Sequence, residues 1–365
     1  MAVFAGKACA AGFPGLAMTA AGWGPLVTDK GYASKVQVYG TLDAYVDTYD
    51  SGGRSGTRFA GGGVWTNKIG VFARLGLSED TALVADIEEG FNFDGDALSH
   101  NSTWQDVGRL RLAMVGVRSK QWGSLDLGKS FGVTAPTMLD PFYGPAKLSP
   151  HTSLSAPVAT PGANYADIRP KHSIVYTTPR WHNWSIASAL TFNFDEAAHS
   201  GRTVRGQAVR LDYFSPEVIF LAGIGRYWSN PYETADGKVQ TANDYYFLNY
   251  SYDFGPISLS AAWQRQTIDT AIAPHLDVFT AGATMPVGKD LVRAVLVNRK
   301  VEGKDNDAWG GMVGYDHFFT PQTAVYARLG LVVNQRRAGQ TMAAIPLDNA
   351  DDTPQDLAIG MYHHF

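Results

Sequence analysis

The chain has 365 residues, with 39 glycines, 12% aromatic and only 18% charged side chains, and a formal net charge of -4. That balance is too small to recruit a polyanion, and no basic run interleaved with aromatics forms a groove for one, so nucleic acid is not expected as a partner. The lone cysteine, Cys9, excludes a disulfide framework.

At the N-terminus Lys7 precedes an uncharged stretch from Ala8 to Thr28, which is the layout of a secretory signal. The four glycines and two prolines in that stretch disfavour a stable membrane helix. Gly31-Tyr32-Ala33 offers a small-x-small cleavage site, with a cut after Ala21 as the alternative. Residues 1–33 are therefore expected to be a signal peptide and 34–365 a single domain, and removing the former takes away Cys9.

From Val36 to Phe365 the chain reads as eight pairs of strand-like runs separated by seven short turns. The turns fall at Ser78-Glu79-Asp80, Lys120–Gly123, Thr178–Asn183, Ser215-Pro216, Gly255-Pro256, Pro286–Asp290 and Thr320-Pro321. Longer polar stretches make the other connections. Apolar residues recur with period two: Tyr246, Leu248, Tyr250, Tyr252 and Phe254 share one face, as do Leu259, Ala261 and Trp263, or Val325, Ala327, Leu329 and Leu331. Only Val218–Ile224, apolar almost throughout, leaves its faces unassigned.

Alternation alone also fits a soluble sandwich with one wet face. Two features favour a membrane. Aromatic residues gather near the strand ends (Tyr39, Trp65, Trp122, Trp181, Trp184, Trp228, Trp309, Phe318 and Phe319), as an interfacial girdle requires. The connections are short at one end and long at the other, the asymmetry of an outer-membrane barrel. The fold class expected is thus all-β, an antiparallel transmembrane β-barrel of about sixteen strands, wide enough to leave an aqueous lumen. Hydrocarbon tolerates no open sheet edge, so Val36–Asp47 should pair with Asp356–Phe365.

The order of several short motifs resembles the Gram-negative general porin family, particularly the trimeric porins of β-proteobacteria. They are Val36-Gln37-Val38-Tyr39-Gly40, Leu77-Ser78-Glu79-Asp80, Glu89-Gly90-Phe91-Asn92, Gly123–Lys129, His172–Thr177 and the terminal Gly360–Phe365. The resemblance spans the mature chain and fits loosely only over Ser51–Val64. It implies an outer-membrane channel for ions and small polar solutes, set in outer-membrane lipid, assembled as a homotrimer and needing no cofactor or metal. It also implies that Phe365 and Tyr362 belong to a C-terminal signal read by the barrel-assembly machinery.

Phe131–Pro170 is a proline-rich loop of 40 residues, long enough to be functional. In the family the corresponding loop folds inward and narrows the lumen, and prolines lower the entropy lost on docking. By resemblance, Arg74 and Arg111 match basic residues of the facing wall. Parity agrees: Ile69, Val71, Ala73 and Leu75 leave Arg74 on the wet face, and Leu110, Leu112 and Met114 leave Arg109 and Arg111 there. Lys171 is expected to be luminal as well. Glu88, which shares the parity of Val84 and Asp86, together with the loop acids Asp140 and Asp167, would supply the acidic side of a transverse field. The excess of cations, with Lys147 and Arg169 added, leans toward anions.

Two alternatives remain: a substrate-specific outer-membrane channel and an outer-membrane β-barrel enzyme. The chain contains no Gly-x-Ser-x-Gly or His-Glu-x-x-His motif, and no histidine spacing suited to metal.

Overall fold

The computed structural model describes residues 31–91, 93, 110–134, 140–142, 147–156, 168–192, 203–229, 231–268, 275–303 and 305–365. The expected signal peptide lies almost wholly outside them.

The first half of the chain forms β1 (Lys35–Asp50), β2 (Ser55–Gly61), β3 (Lys68–Gly76), β4 (Thr81–Gly90), β5 (Leu110–Ser119), β6 (Gly123–Lys129), the short helix α1 (Pro150–Leu154), β7 (Ser173–Thr177), β8 (Trp184–Phe192) and β9 (Val204–Phe214). The second half forms β10 (Val218–Trp228), β11 (Tyr232–Thr234), β12 (Gly237–Val239), β13 (Ala242–Asp253), β14 (Ser258–Ile268), β15 (Leu276–Val287), β16 (Asp290–Val301), β17 (Ala308–Thr320), β18 (Thr323–Asn334) and β19 (Gln355–His364). Apart from the β11–β12 hairpin, every strand joins one antiparallel sheet. β1 pairs with β3 through Lys35–Thr41 and with β2 through Ala44–Asp50, so β2 and β3 share one place and the closed barrel has sixteen. Closure runs along β1 and β19 from Thr41↔His364 to Asp50↔Gln355. Two further hydrogen bonds tie Gly40 to Phe365, at 3.0 and 3.1 Å. All seven short turns lie at one end, as expected, and the long connections lie at the other.

The stretch Ser51–Val64, where the resemblance is loose, holds β2 and the start of the break between β2 and β3. Residues between the two strands turn toward the lumen and are caught by Asp43. Its carboxylate accepts from the backbone N–H groups of Val64 (2.7 Å) and Trp65 (2.6 Å), and from the Tyr326 hydroxyl (2.7 Å). A buried carboxylate with three donors is satisfied there.

On the outer face Ile69, Val71, Leu75, Leu83, Ile87, Leu248, Leu259 and Leu329 are exposed, while Lys68, Phe72, Asp86, Asn249, Gln264 and Arg328 are buried inside. A sheet with apolar residues out and polar residues in suits lipid outside and solvent inside. Trp122, Trp181, Phe254 and Phe319 stand exposed beside the short turns, one half of the expected girdle. Tyr39, Trp65 and Phe318 do not join it. They are buried in the barrel: Tyr39 and Phe318 fall on the inward parity of β1 and β17, and Trp65 lies in the segment that turns toward the lumen between β2 and β3. Val218–Ile224 is also explained: Ile219 and Leu221 face inward onto Tyr227, Tyr245 and Phe247, so both faces of that stretch are apolar.

In β5 a bulge breaks the expected parity. The pairing passes from Glu88↔Leu112 to Glu89↔Leu110, leaving Arg111 as the extra residue of a bulge. Leu110 is 42% exposed, whereas Leu112 and Met114, expected beside it on the outer face, are 0% and 3% exposed and point inward. Arg111 faces inward as well.

Candidate functional site

On the β3–β5 wall, inward parity brings Lys68, Asp86 and Glu88 together, and the bulge adds Arg111. The Arg111 Nε donates to Glu88 Oε1 at 2.6 Å, and Lys68 Nζ lies 3.4 Å from Oε2. Arg169, near the end of the long loop, lies within electrostatic reach of both Lys68 and Glu88 and stacks 5.0 Å over Phe131. All four charged side chains are buried. Asp86 beside them accepts from the Tyr39 hydroxyl at 2.9 Å. Three cations thus surround Glu88, an arrangement that pins the loop's C-terminal end to the wall and leaves the cluster net positive.

Of the other residues singled out in the sequence, Arg74, Lys171 and Asp140 do not gather there. Arg74 is at the short-turn end, where its Nε donates to the Ala33 carbonyl at 2.6 Å. It pairs with Val84, four residues and about 13 Å along β4 from Glu88. Lys171 is exposed just before β7 and outside the cluster. Arg109 and Asp167 lie outside the described residues. Phe365 and Tyr362 are on opposite faces: Phe365 points outward, while Tyr362 is buried against Trp65, Phe318 and Tyr326.

Asp140 is also remote from Glu88, in a loop that has folded into the barrel against β14–β18. The Asp140 carboxylate accepts from the Ser149 hydroxyl and, at 2.8 Å, from the Phe142 N–H. Arg293 of β16 donates to the Pro141 carbonyl at 2.6 Å. Arg299 donates to the carbonyls of Leu154 (2.8 Å) and Ala156 (2.5 Å). Arg293 and Arg328 share Asp316, at 2.9 and 2.6 Å, and Arg328 lies 5.2 Å from the Phe142 ring. Gly310 and Gly314 complete the seat, since a Cβ at either would collide with Pro150 and Leu154 or with Phe142. These arginines were not recognised from sequence. The alternation that puts Arg328 opposite Leu329 was visible, but nothing local says that an inward arginine will bind loop carbonyls.

α1 starts at the Ser149 N-cap with Pro150 in its first turn. Its His151 imidazole meets the Thr280 hydroxyl at 2.9 Å. Burial lowers His151 to about 4. Burial also raises Asp140 to about 6, against the pull of its Ser149 and Phe142 donors. Neutral His151 therefore supports docking fully above about pH 6.5, and that support is lost as pH falls through about 4. Asp140 works in reverse: its support is full below about 3.8 and is lost as pH rises through about 6. The two oppose each other between about pH 4 and 6. In His151→Gln only Asp140 remains, so docking should weaken as pH rises through that window and bilayer conductance should climb. The unsubstituted protein should respond less, and equal slopes in the two would contradict the pairing.

The family model described as Gram-negative porin matches residues 1–337. An outer membrane porin protein of Bordetella pertussis is 26% identical over 208 residues, which is 52% of this chain and 49% of that protein. The chain thus matches about half the length of this curated relative. The anion-selective porin from Comamonas acidovorans superposes with a TM-score of 0.78 at 19% identity, covering 91% of this chain and 100% of that one. OmpT of Vibrio cholerae, in its trimer form, gives 0.62 at 15% identity over 91% and 100%. At such identities these structures establish the fold.

Proposed function

The chain belongs to the Gram-negative porin family, and on that premise we propose that it forms a water-filled outer-membrane channel for passive diffusion of ions and small polar solutes. The observation that carries this reading is the closed sheet, apolar outside and charged within, crossed by a loop that folds inward. Passive conduction needs no catalytic group, so we read the protein as a channel and not an enzyme.

We infer a preference for anions. Its support is the excess of Lys68, Arg111 and Arg169 over Glu88, together with the anion selectivity named for the Comamonas porin. Arg74, Arg109 and Lys171 would add to the positive field, and Asp140 and Asp167 would temper it. A planar bilayer under a salt gradient tests this: the reversal potential should carry the sign of anion permeation, and a cationic sign would overturn the assignment.

A homotrimer is the assembly we favour, by analogy with the trimer form of the Vibrio protein. The wall of β5–β8 would supply contacts, its strands being 5 to 10 residues long against 11 to 13 in β13–β18. Residues 1–33 would serve as an export signal, and the outward Phe365 would be read during assembly.

A further inference from the structure

Residues 335–354, between β18 and β19, also turn into the barrel. Asn334 clamps the base of this last loop: its Nδ2 donates to the carbonyls of Gln340 (2.7 Å) and Asp352 (2.8 Å), and its Oδ1 accepts from the Gln340 N–H (2.9 Å). Gly339 and Ala350 close it with a 2.9 Å backbone bond, and the Asp352 carboxylate caps Asp348 and Asn349 at 2.9 and 2.8 Å. The tip is apolar. Met342, Ala343 and Ile345 are buried, while Ala343 and Ala344 take left-handed φ values of 52° and 56°. Alanine adopts that region unwillingly, so the tip is held by its surroundings.

Those surroundings include the constriction loop. Met342, Ala343 and Ile345 share one buried cluster with Leu148 and Leu154, alongside Tyr45 and Val332. Met342 packs so closely on Gly330 that a Cβ there would approach its Cε to 2.5 Å. Arg58, bonded to Asp47, donates to the Ala343 carbonyl at 3.0 Å, and Arg54 meets Asp348 at 2.5 Å. α1 itself rests on β16–β18. A helix of five residues has no stability of its own and stays folded only where packing holds it.

We propose that Met342 and Ile345 are positioning residues for the constriction: the last loop clamps α1 against β16–β18 and so fixes the bore through another loop. The proposal rests on the channel reading, but part of its test does not. Ser155, buried just after α1 with its hydroxyl unpartnered among the described residues, accepts a cysteine as a reporter. In full-length protein carrying Ser155→Cys, a water-soluble maleimide should label the thiol slowly. Adding Met342→Ser and Ile345→Ser should speed labelling at least tenfold. In bilayers the same pair should raise open-channel noise and mean conductance about twofold, while Met342→Leu alone should stay quiet. Heat-modifiable migration identifies folded barrels, to which both readings are confined. Faster labelling in a protein that never conducts would uphold the clamp and sink the channel reading. Conduction with labelling and noise unchanged in the serine pair would overturn the clamp.

Discussion

Replacing Glu88 by alanine should destabilise the barrel more than any other single substitution on the β3–β5 wall. Glu88 is the acceptor for Arg111 at 2.6 Å and lies 3.4 Å from Lys68, with Arg169 beside them and all four side chains buried. Removing it leaves three buried cations facing one another. Breaking a buried ion pair from one side costs about 3–5 kcal/mol, since the buried charge that remains is undercompensated. Glu88→Gln, which keeps an acceptor but loses the charge, should cost less. The temperature at which the folded band disappears on heating should fall clearly for alanine and less for glutamine. Barrels that do fold should shift the reversal potential further toward anions. Unchanged values in the alanine variant would mean that the cluster braces nothing.

The second large effect belongs to Arg299. Its guanidinium donates to the carbonyls of Leu154 and Ala156 at the end of α1, at 2.8 and 2.5 Å. Arg299→Met keeps the length and the apolar stem while removing the donors and the charge. Each buried acceptor left unsatisfied costs about 1–3 kcal/mol. That penalty falls on the docked state alone, because an undocked loop is hydrated. The loop should therefore leave the wall part of the time, giving a larger and noisier single-channel conductance with little change in barrel stability. A conductance equal to that of the unsubstituted protein would place the anchoring elsewhere.

Much of the fold could be read in the residues because a sheet between lipid and water obeys a rule of period two. Ile69, Val71 and Leu75 alternate with Phe72 and Arg74 for that reason, and Ser215-Pro216 or Thr320-Pro321 interrupt the pattern where a turn must come. The rule fails where the inner face is not wet. Val218–Ile224 looks apolar on both sides because Tyr245 and Phe247 cover its inner face. Hydrophobicity places Leu112 and Met114 outward because a bulge leaves no trace in it.

The site was less legible. Arg111 and Glu88 meet, but Arg74 stands about 13 Å along the strand from them. Parity gives the face of a strand and says nothing of height along it, so a motif match cannot separate the two positions. Arg293, Arg299 and Arg328 escaped notice because their partners are loop backbone far away in sequence. The last loop held one overlooked signal, the apolar run Met342–Ile345 within a polar connection, which is costly to leave in water and so marks a tip that packs inside.

Swelling of proteoliposomes in iso-osmotic solutions of uncharged sugars tests the central claim most directly, since it reads solvent continuity through the barrel without reference to charge. A water-filled lumen predicts rapid swelling with the smallest sugars, rates that fall steeply with solute size, and no saturation as concentration rises. Vesicles that swell no faster than protein-free controls would contradict the account.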